Sequence, residues 1–219
     1  MKSVLGVIPA RGGSKGIKRK NMSILGGKPL IDYTVYAAKK SKLLSELVVS
    51  SDDSDIISHC IGLGVNVPFV RPAELSTDYA PTIDAVLHAI SYFESLGKEF
   101  HAVMVLQPTT PFRTSEMIDQ AVETFFNSGS NSLVSIVDVG ANHPHRMYTI
   151  NKEKYMYPII PSEDPMLARQ KLPKFYIRSG DIYLISVEEL KKTRSLVGEA
   201  PVGLILDGSK TVNIDTEMD

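Results

Sequence analysis

The chain has 219 residues, 43% hydrophobic and 22% charged, and carries a formal net charge of −1. That balance fits a single ordinary globular domain spanning 1–219 and gives no general electrostatic pull toward nucleic acid or an anionic membrane, though a local cluster of cations could still hold a small anion. The lone cysteine, Cys60, excludes an internal disulfide framework and fits a reducing compartment, and residues 1–10 run too soon into Arg11 to form a signal peptide. No apolar run approaches a membrane span, so a cytoplasmic protein is expected.

In chain order, Val4 to Ile8 is a short apolar run ending at Pro9-Ala10-Arg11-Gly12-Gly13, a buried strand that enters a glycine loop. Pro29 opens a helix with Leu30, Ile31, Thr34, Ala37 and Ala38 on one face. Leu47 to Val49 predicts a strand and Asp53 to Ile61 a helix, ended by Gly62 and Gly64 before Val65 to Val70 extends again. Thr82 to Leu96 has helical spacing, Ala102 to Leu106 is a continuous apolar strand, and Ser115 to Phe126 is helical. From Ala141 to Lys174 the periodicity fades and an insertion is expected. Phe175 to Ile185 resumes regular structure, Ser186 and Glu189 have capping-box spacing, and Val202 to Leu206 and Val212 to Ile214 read as final strands.

Continuous apolar strands alternating with helices predict a doubly wound, mostly parallel α/β sheet covered on both faces. Ligands in such sheets sit beyond the carboxyl ends of the strands, which here points to residues 9–21, 50–53, 71–82 and 107–113. In the first of these, Arg11-Gly12-Gly13-Ser14-Lys15-Gly16 combines three glycines, which let backbone N–H groups converge, with two cations and a hydroxyl. A phosphate is the natural guest, against the alternative of an ordinary glycine-rich turn with solvated charges. The segment is not a Walker A loop, because Gly16 and Ile17 follow Lys15 where Ser or Thr is required.

Ile8-Pro9-Ala10-Arg11-Gly12-Gly13-Ser14-Lys15-Gly16, followed by Lys18, Lys20, Asn21 and Gly27-Lys28-Pro29-Leu30, resembles the amino-terminal signature of the acylneuraminate cytidylyltransferases. Downstream, Ser50-Ser51-Asp52, Arg71-Pro72-Ala73-Glu74-Leu75-Ser76, Leu106-Gln107-Pro108-Thr109-Thr110-Pro111-Phe112-Arg113 and Ile214-Asp215-Thr216-Glu217 resemble further family elements in the same order. The resemblance implies a Rossmann-like nucleotidyltransferase fold and transfer of CMP from CTP to the anomeric hydroxyl of a nonulosonic (sialic-type) acid. The alternatives are a related enzyme acting on another sugar acid, such as 3-deoxy-manno-octulosonate, and a non-catalytic nucleotide-binding module.

The resemblance and the chemistry of the reaction together single out site residues. Arg11 and Lys15 are the candidate phosphate clamp and, with Asp215, the candidate catalytic residues. Ala10, Gly12, Gly13, Ser14, Lys20, Asn21, Arg71, Ala80 and Thr82 complete the implied nucleotide site. Lys20 could equally be solvated, and Arg71 alone would read as a loop salt bridge with Glu74. Asp215 is the candidate ligand of Mg²⁺, or of Mn²⁺, with Asn213 standing where the family commonly has a second aspartate. For the acceptor, Gln107 and the arginines Arg146, Arg169 and Arg178 are candidates, since a guanidinium grips a carboxylate with two parallel hydrogen bonds. Arg178 sits in Arg178-Ser179-Gly180-Asp181-Ile182-Tyr183, which departs from the family's Asn-Gly-Ala-Ile-Tyr. Residues 141–174 are implied to form an arm that dimerises the enzyme and completes the partner's site. His143 and His145 are read as loop or substrate residues, and Tyr33 and Tyr36 as packing residues.

Overall fold

The computed structural model describes residues 2–14, 16–161, 164 and 166–219, without the side chain of Arg169. Lys15 therefore lies outside the described residues. Ten strands and five α-helices follow in order: β1 Val4–Pro9, β2 Ile24–Leu25, β3 Lys28–Pro29, α1 Leu30–Lys40, β4 Glu46–Ser50, α2 Ser54–Gly62, α3 Thr82–Ser95, β5 Ala102–Val105, α4 Ser115–Ser128, β6 Ser132–Asp138, β7 Tyr148–Ile150, β8 Met156–Pro158, β9 Tyr176–Ser186, α5 Val187–Thr193 and β10 Val202–Ile205.

The central sheet has the order β10-β6-β9-β5-β1-β4. β1 pairs in parallel with β4 and β5, and β10 with β6, whereas β9 runs antiparallel to both its neighbours. The mainly parallel sheet predicted from continuous apolar strands is thus present, with one reversed strand. Val4, Leu5, Val7 and Ile8 in β1 are fully buried because both sheet faces are covered. One face packs residues of α1, α2 and α4, including Ile31, Val35, Ile56, Ile118 and Phe125; the other packs Val86, Ile90 and Phe93 of α3 and Leu190 of α5. The lone thiol of Cys60 lies in the first of these cores, where burial, with some help from Asp32, pushes it up to about 12.

Local chemistry fixes the helix starts near the expected positions. The Asp53 carboxylate accepts from the N–H groups of Asp55 and Ile56 at 2.9 and 3.1 Å, an N-cap worth about 1 kcal/mol. Thr114 and Ser186 cap α4 and α5 the same way. Glu189 turns away from Ser186 and accepts from Glu199 N, so only half of the capping box forms.

Three predicted elements differ. Val65 to Val70 makes only an isolated bridge, Val48 to Asn66, because Pro68 removes a ladder donor beside the edge strand β4. Val212 to Ile214 forms no strand; it crosses the ends of the strands, with Ile214 N donating to Thr109 O at 2.8 Å. β6 has no counterpart among the predicted elements, and the fading periodicity after Ala141 contains a hairpin, β7–β8.

The reversal of β9 matters for function. Its first residues lie at the same sheet edge as the carboxyl ends of β1, β4, β5 and β6. The register between β6 and β9 shifts between Val134 and Ile136, so that Ser179 to Asp181 bulge out of the ladder at this edge.

Candidate active site

A cleft of about 460 Å³ opens at the carboxyl ends of β1, β4 and β5, where an α/β sheet holds its ligands. Its floor is the loop after β1. Ala10 N donates to Ser50 O at 2.9 Å and Gly12 N to the Asp52 carboxylate at 3.0 Å, so the loop is laid against the end of β4. A side chain on Gly12 would meet Asp53 at 2.6 Å. Asn21 is buried and donates to Arg11 O at 2.9 Å, and the Ser14 hydroxyl donates to Ile17 O while accepting from Lys20 N. Asn21 and Ser14 therefore shape this loop from within.

The far wall comes from the other end of the chain. Lys20, with only 13% of its side chain exposed, donates from Nζ to Ile214 O at 2.8 Å and to Asp215 Oδ1 at 3.0 Å. Asn213 Nδ2 donates to Asp215 Oδ2 at 2.8 Å. Gly16 passes so close that a Cβ would lie 2.2 Å from the Asp215 carbonyl oxygen. Asp219 accepts from the N–H groups of Asp215 and Thr216, which hold its carboxyl below the usual range.

The opposite rim carries Arg11 and Arg71. Arg11 donates to Thr77 O at 2.7 Å and pairs with Asp78 at 3.2 Å. Arg71 is 5% exposed and donates to the Ser50 hydroxyl at 3.0 Å and to Ser50 O, rather than to Glu74. Burial lowers its guanidinium to about 10, with Asp52 opposing and Arg11 adding to that shift, and it stays charged at neutral pH. Gly13, Ala80 and Thr82 also line the cleft.

A second lobe of about 290 Å³ continues past Pro81, Thr82 and Gln107, which line both spaces. Arg178, Tyr183 and Arg194 form its walls. Arg194 is held by Asp84 and takes a left-handed backbone at φ +48. Of the acceptor candidates, the structure brings Gln107 and Arg178 to this lobe. Arg146 lies exposed at the foot of the arm and lines neither space. Arg169 falls in a short turn whose side chain is outside the described residues. His143 Nε2 meets Pro173 O at 2.8 Å and its ring packs edge-on against Phe175, a contact that anchors the arm. Tyr33 donates to Leu25 O at 2.6 Å, with the Lys28 ammonium over its ring, the packing role expected of it.

Sequence reasoning missed Arg194, for which no local pattern exists, and assigned no role to Asp78, Arg113 or Tyr183, which lie in or beside family-like motifs. Among the described residues no group of three His, Cys, Asp or Glu side chains could form a metal cage.

Comparison with known proteins places the chain in a family. The family model for cytidylyltransferases matches residues 5–186. The chain belongs to the cytidylyltransferase family. The cytidylyltransferase is similar to the CMP-N,N'-diacetyllegionaminic acid synthase of Legionella pneumophila, with 33% identity over 99% of this chain and 92% of that protein. It is also similar to a pseudaminic acid cytidylyltransferase of Campylobacter jejuni, at 33% identity over 97% of this chain and 91% of that protein. Among solved structures, a CMP:2-keto-3-deoxy-manno-octonic acid synthetase complexed with CTP superposes with a TM-score of 0.71. The match covers 99% of this chain and 94% of that one, and at 16% identity it speaks for the fold.

Proposed function

We propose that this cytidylyltransferase transfers CMP from CTP to the anomeric hydroxyl of a nonulosonic acid. A P–O bond forms between that hydroxyl oxygen and the α-phosphorus, the bond to the β-phosphate oxygen breaks, and pyrophosphate leaves while the hydroxyl proton departs. The observation that carries this reading is a two-lobed cleft. One lobe is floored by the glycine loop after β1, beside Arg11; the other, which shares Pro81, Thr82 and Gln107 with it, presents Arg178.

In this reading the loop from Ala10 to Ser14, with Arg11 and Lys15, neutralises the triphosphate and fixes its orientation, which is where most of the rate enhancement of a phosphoryl-type transfer lies. Arg71, already rigid through Ser50, faces the base and ribose with Asn21, Ala80 and Thr82 around them. Lys20 serves the site through Asp215. The exposed Asp215 carboxylate, with Asn213 beside it, fits a divalent cation: Mg²⁺ needs only one or two protein carboxylates when phosphate oxygens and water supply the rest. Bound there, Mg²⁺ would neutralise phosphate charge.

Arg178 and Gln107 hold the acceptor, assisted by Arg146 and Arg169 if the arm belongs to a dimer. The hairpin β7–β8 exposes Ile150, Met156 and Tyr157 and is the proposed homodimer contact. No helix among the described residues is long and apolar enough to cross a membrane, and the cytoplasm is the proposed compartment.

Pyrophosphate release from CTP, Mg²⁺ and each of N-acetylneuraminate, legionaminate, pseudaminate and 3-deoxy-manno-octulosonate tests the reading. Release with one of the first three supports it. Release with the last alone makes the enzyme an octulosonate cytidylyltransferase, and none with any acceptor, despite CTP binding by calorimetry, makes it a binding module.

A further inference from the structure

Arg113 follows β5 at the start of the α4 segment, is 3% exposed, and uses its whole guanidinium inside the protein. Nε donates to Asp181 O at 2.7 Å. One terminal nitrogen donates to the Thr34 hydroxyl on α1 at 3.0 Å. The other donates to Gln107 O at 2.8 Å and to the Thr110 hydroxyl, which itself donates to Gln107 O at 3.1 Å. Three separate pieces of chain therefore meet on one side chain: a helix, the loop carrying Gln107, and the β9 bulge that begins beside Arg178.

The bulge is also tied to β6 and to itself, with Ser135 donating to Ile182 O at 3.2 Å and Asp181 N to the Ser179 hydroxyl at 3.4 Å. Ser179 donates to the Ser135 hydroxyl at 2.8 Å, and that oxygen also accepts Ile182 N at 2.8 Å. Gly180 takes φ +83, and a Cβ there would lie 3.7 Å from the Thr110 methyl and 4.0 Å from Gln107 Oε1. Asp181 is fully buried, and burial pushes its carboxyl up, opposed by the Ser179 hydroxyl and the Arg113 charge. A buried carboxylate is costly, and it is tolerated here beside a buried guanidinium whose charge needs an opposite one nearby. Burial, opposed by the Asp181 charge, lowers Arg113 to about 10, so it remains cationic at neutral pH.

We propose that Arg113 is a positioning residue for the acceptor half of the site. By tying Gln107 O and Asp181 O to α1, it sets the Gln107 loop against the β9 bulge so that Gln107 and Arg178 open onto the same lobe. The main supports of the nucleotide lobe lie elsewhere, at Ser50, Asp52 and Asn21; the Gln107 loop reaches that lobe only through its rim and through Thr109 O, which accepts Ile214 N. This inference rests on the second lobe being the acceptor site.

The experiment compares the wild-type enzyme with Arg113→Met, Arg113→Lys and Thr34→Val. It measures melting temperature, CTP affinity by calorimetry without acceptor, and KM and kcat for whichever acceptor the wild type uses. Thr34→Val keeps the side chain's shape and removes the acceptor of only one Arg113 N–H, which keeps the proposal testable if Arg113→Met does not fold. The expected result is an acceptor KM raised about tenfold or more in Arg113→Met and several-fold in Thr34→Val, with CTP affinity within about twofold of wild type. Arg113→Lys, which retains the charge and can reach some of the same oxygens, should fall between Met and wild type. CTP affinity and acceptor KM worsening in parallel with the melting temperature would show a merely structural role and overturn the proposal. So would an unchanged acceptor KM in a folded variant. A wild-type enzyme silent toward every acceptor overturns the reading of the lobe and this inference with it, whereas turnover with intact KM in the variants sinks this inference alone.

Discussion

The two lobes of the cleft are built by different means. The nucleotide lobe is organised by backbone: the loop after β1 hangs its N–H groups and carbonyls on Ser50, Asp52 and Asn21, and glycines at 12 and 16 are required because neighbouring atoms occupy the space a side chain would need. The lobe proposed for the acceptor is organised by side chains, with the buried Arg113 and Asp181 beneath it and arginines on its walls. A backbone-built lobe can change little without losing its shape. A side-chain-built lobe can be retuned by substitution, which fits a family whose members differ in the sugar acid they are named for.

The largest expected effect tests the nucleotide lobe. Asp215→Ala should lower kcat by about 10²–10³ with the melting temperature nearly unchanged, as expected when a group that balances charge in the transition state is lost. If steady-state kinetics showed less than a tenfold change, the assignment of Asp215 would be wrong. Gly16→Ala comes next. Its Cβ has no room beside the Asp215 carbonyl, so the loop and the C-terminal segment must part, at a cost of about 1–3 kcal/mol. Weakened CTP binding by calorimetry is the expected signature; wild-type affinity would mean that the two segments separate freely.

Arg178→Ala addresses the other lobe. Loss of a charge-assisted hydrogen bond worth about 2 kcal/mol predicts an acceptor KM raised at least tenfold while the KM for CTP stays put. Equal effects on both substrates would erase the distinction between the lobes. The smallest effect lies outside both. With its thiol raised to about 12 and buried, Cys60 should not react with a thiol reagent at pH 8 in the folded enzyme and should react fully in denaturant. Rapid labelling of native protein would show that the core beneath α2 opens.

The loop that floors the cleft is legible in the sequence because its determinants are contiguous: a strand, then glycines and cations in one short run. Lys20 shows the boundary of that legibility. Its hydrocarbon stem and charge suited either phosphate or solvent, and only the fold brings it to the Asp215 carboxylate. Arg113 was visible as a letter in a motif, but its partners Thr34 and Asp181 come from elements that the sequence does not place side by side. The parallel sheet followed from unbroken apolar runs, whereas the reversal of β9 did not, since a strand buried on both faces reads the same in either direction. Val212 to Ile214 was misread as a strand because three residues with apolar ends suit a ladder as well as a crossing over strand ends.

The contact between Lys20 and Asp215 joins groups 195 residues apart in sequence. Contacts of such separation form late and slowly, because the intervening chain must first be confined. On the ribosome, the loop after β1 emerges 195 residues ahead of the carboxylate that Lys20 meets. The sheet core can form before that contact does, and with Asp215 in its proposed role, activity, unlike compactness, waits until residue 215 has emerged.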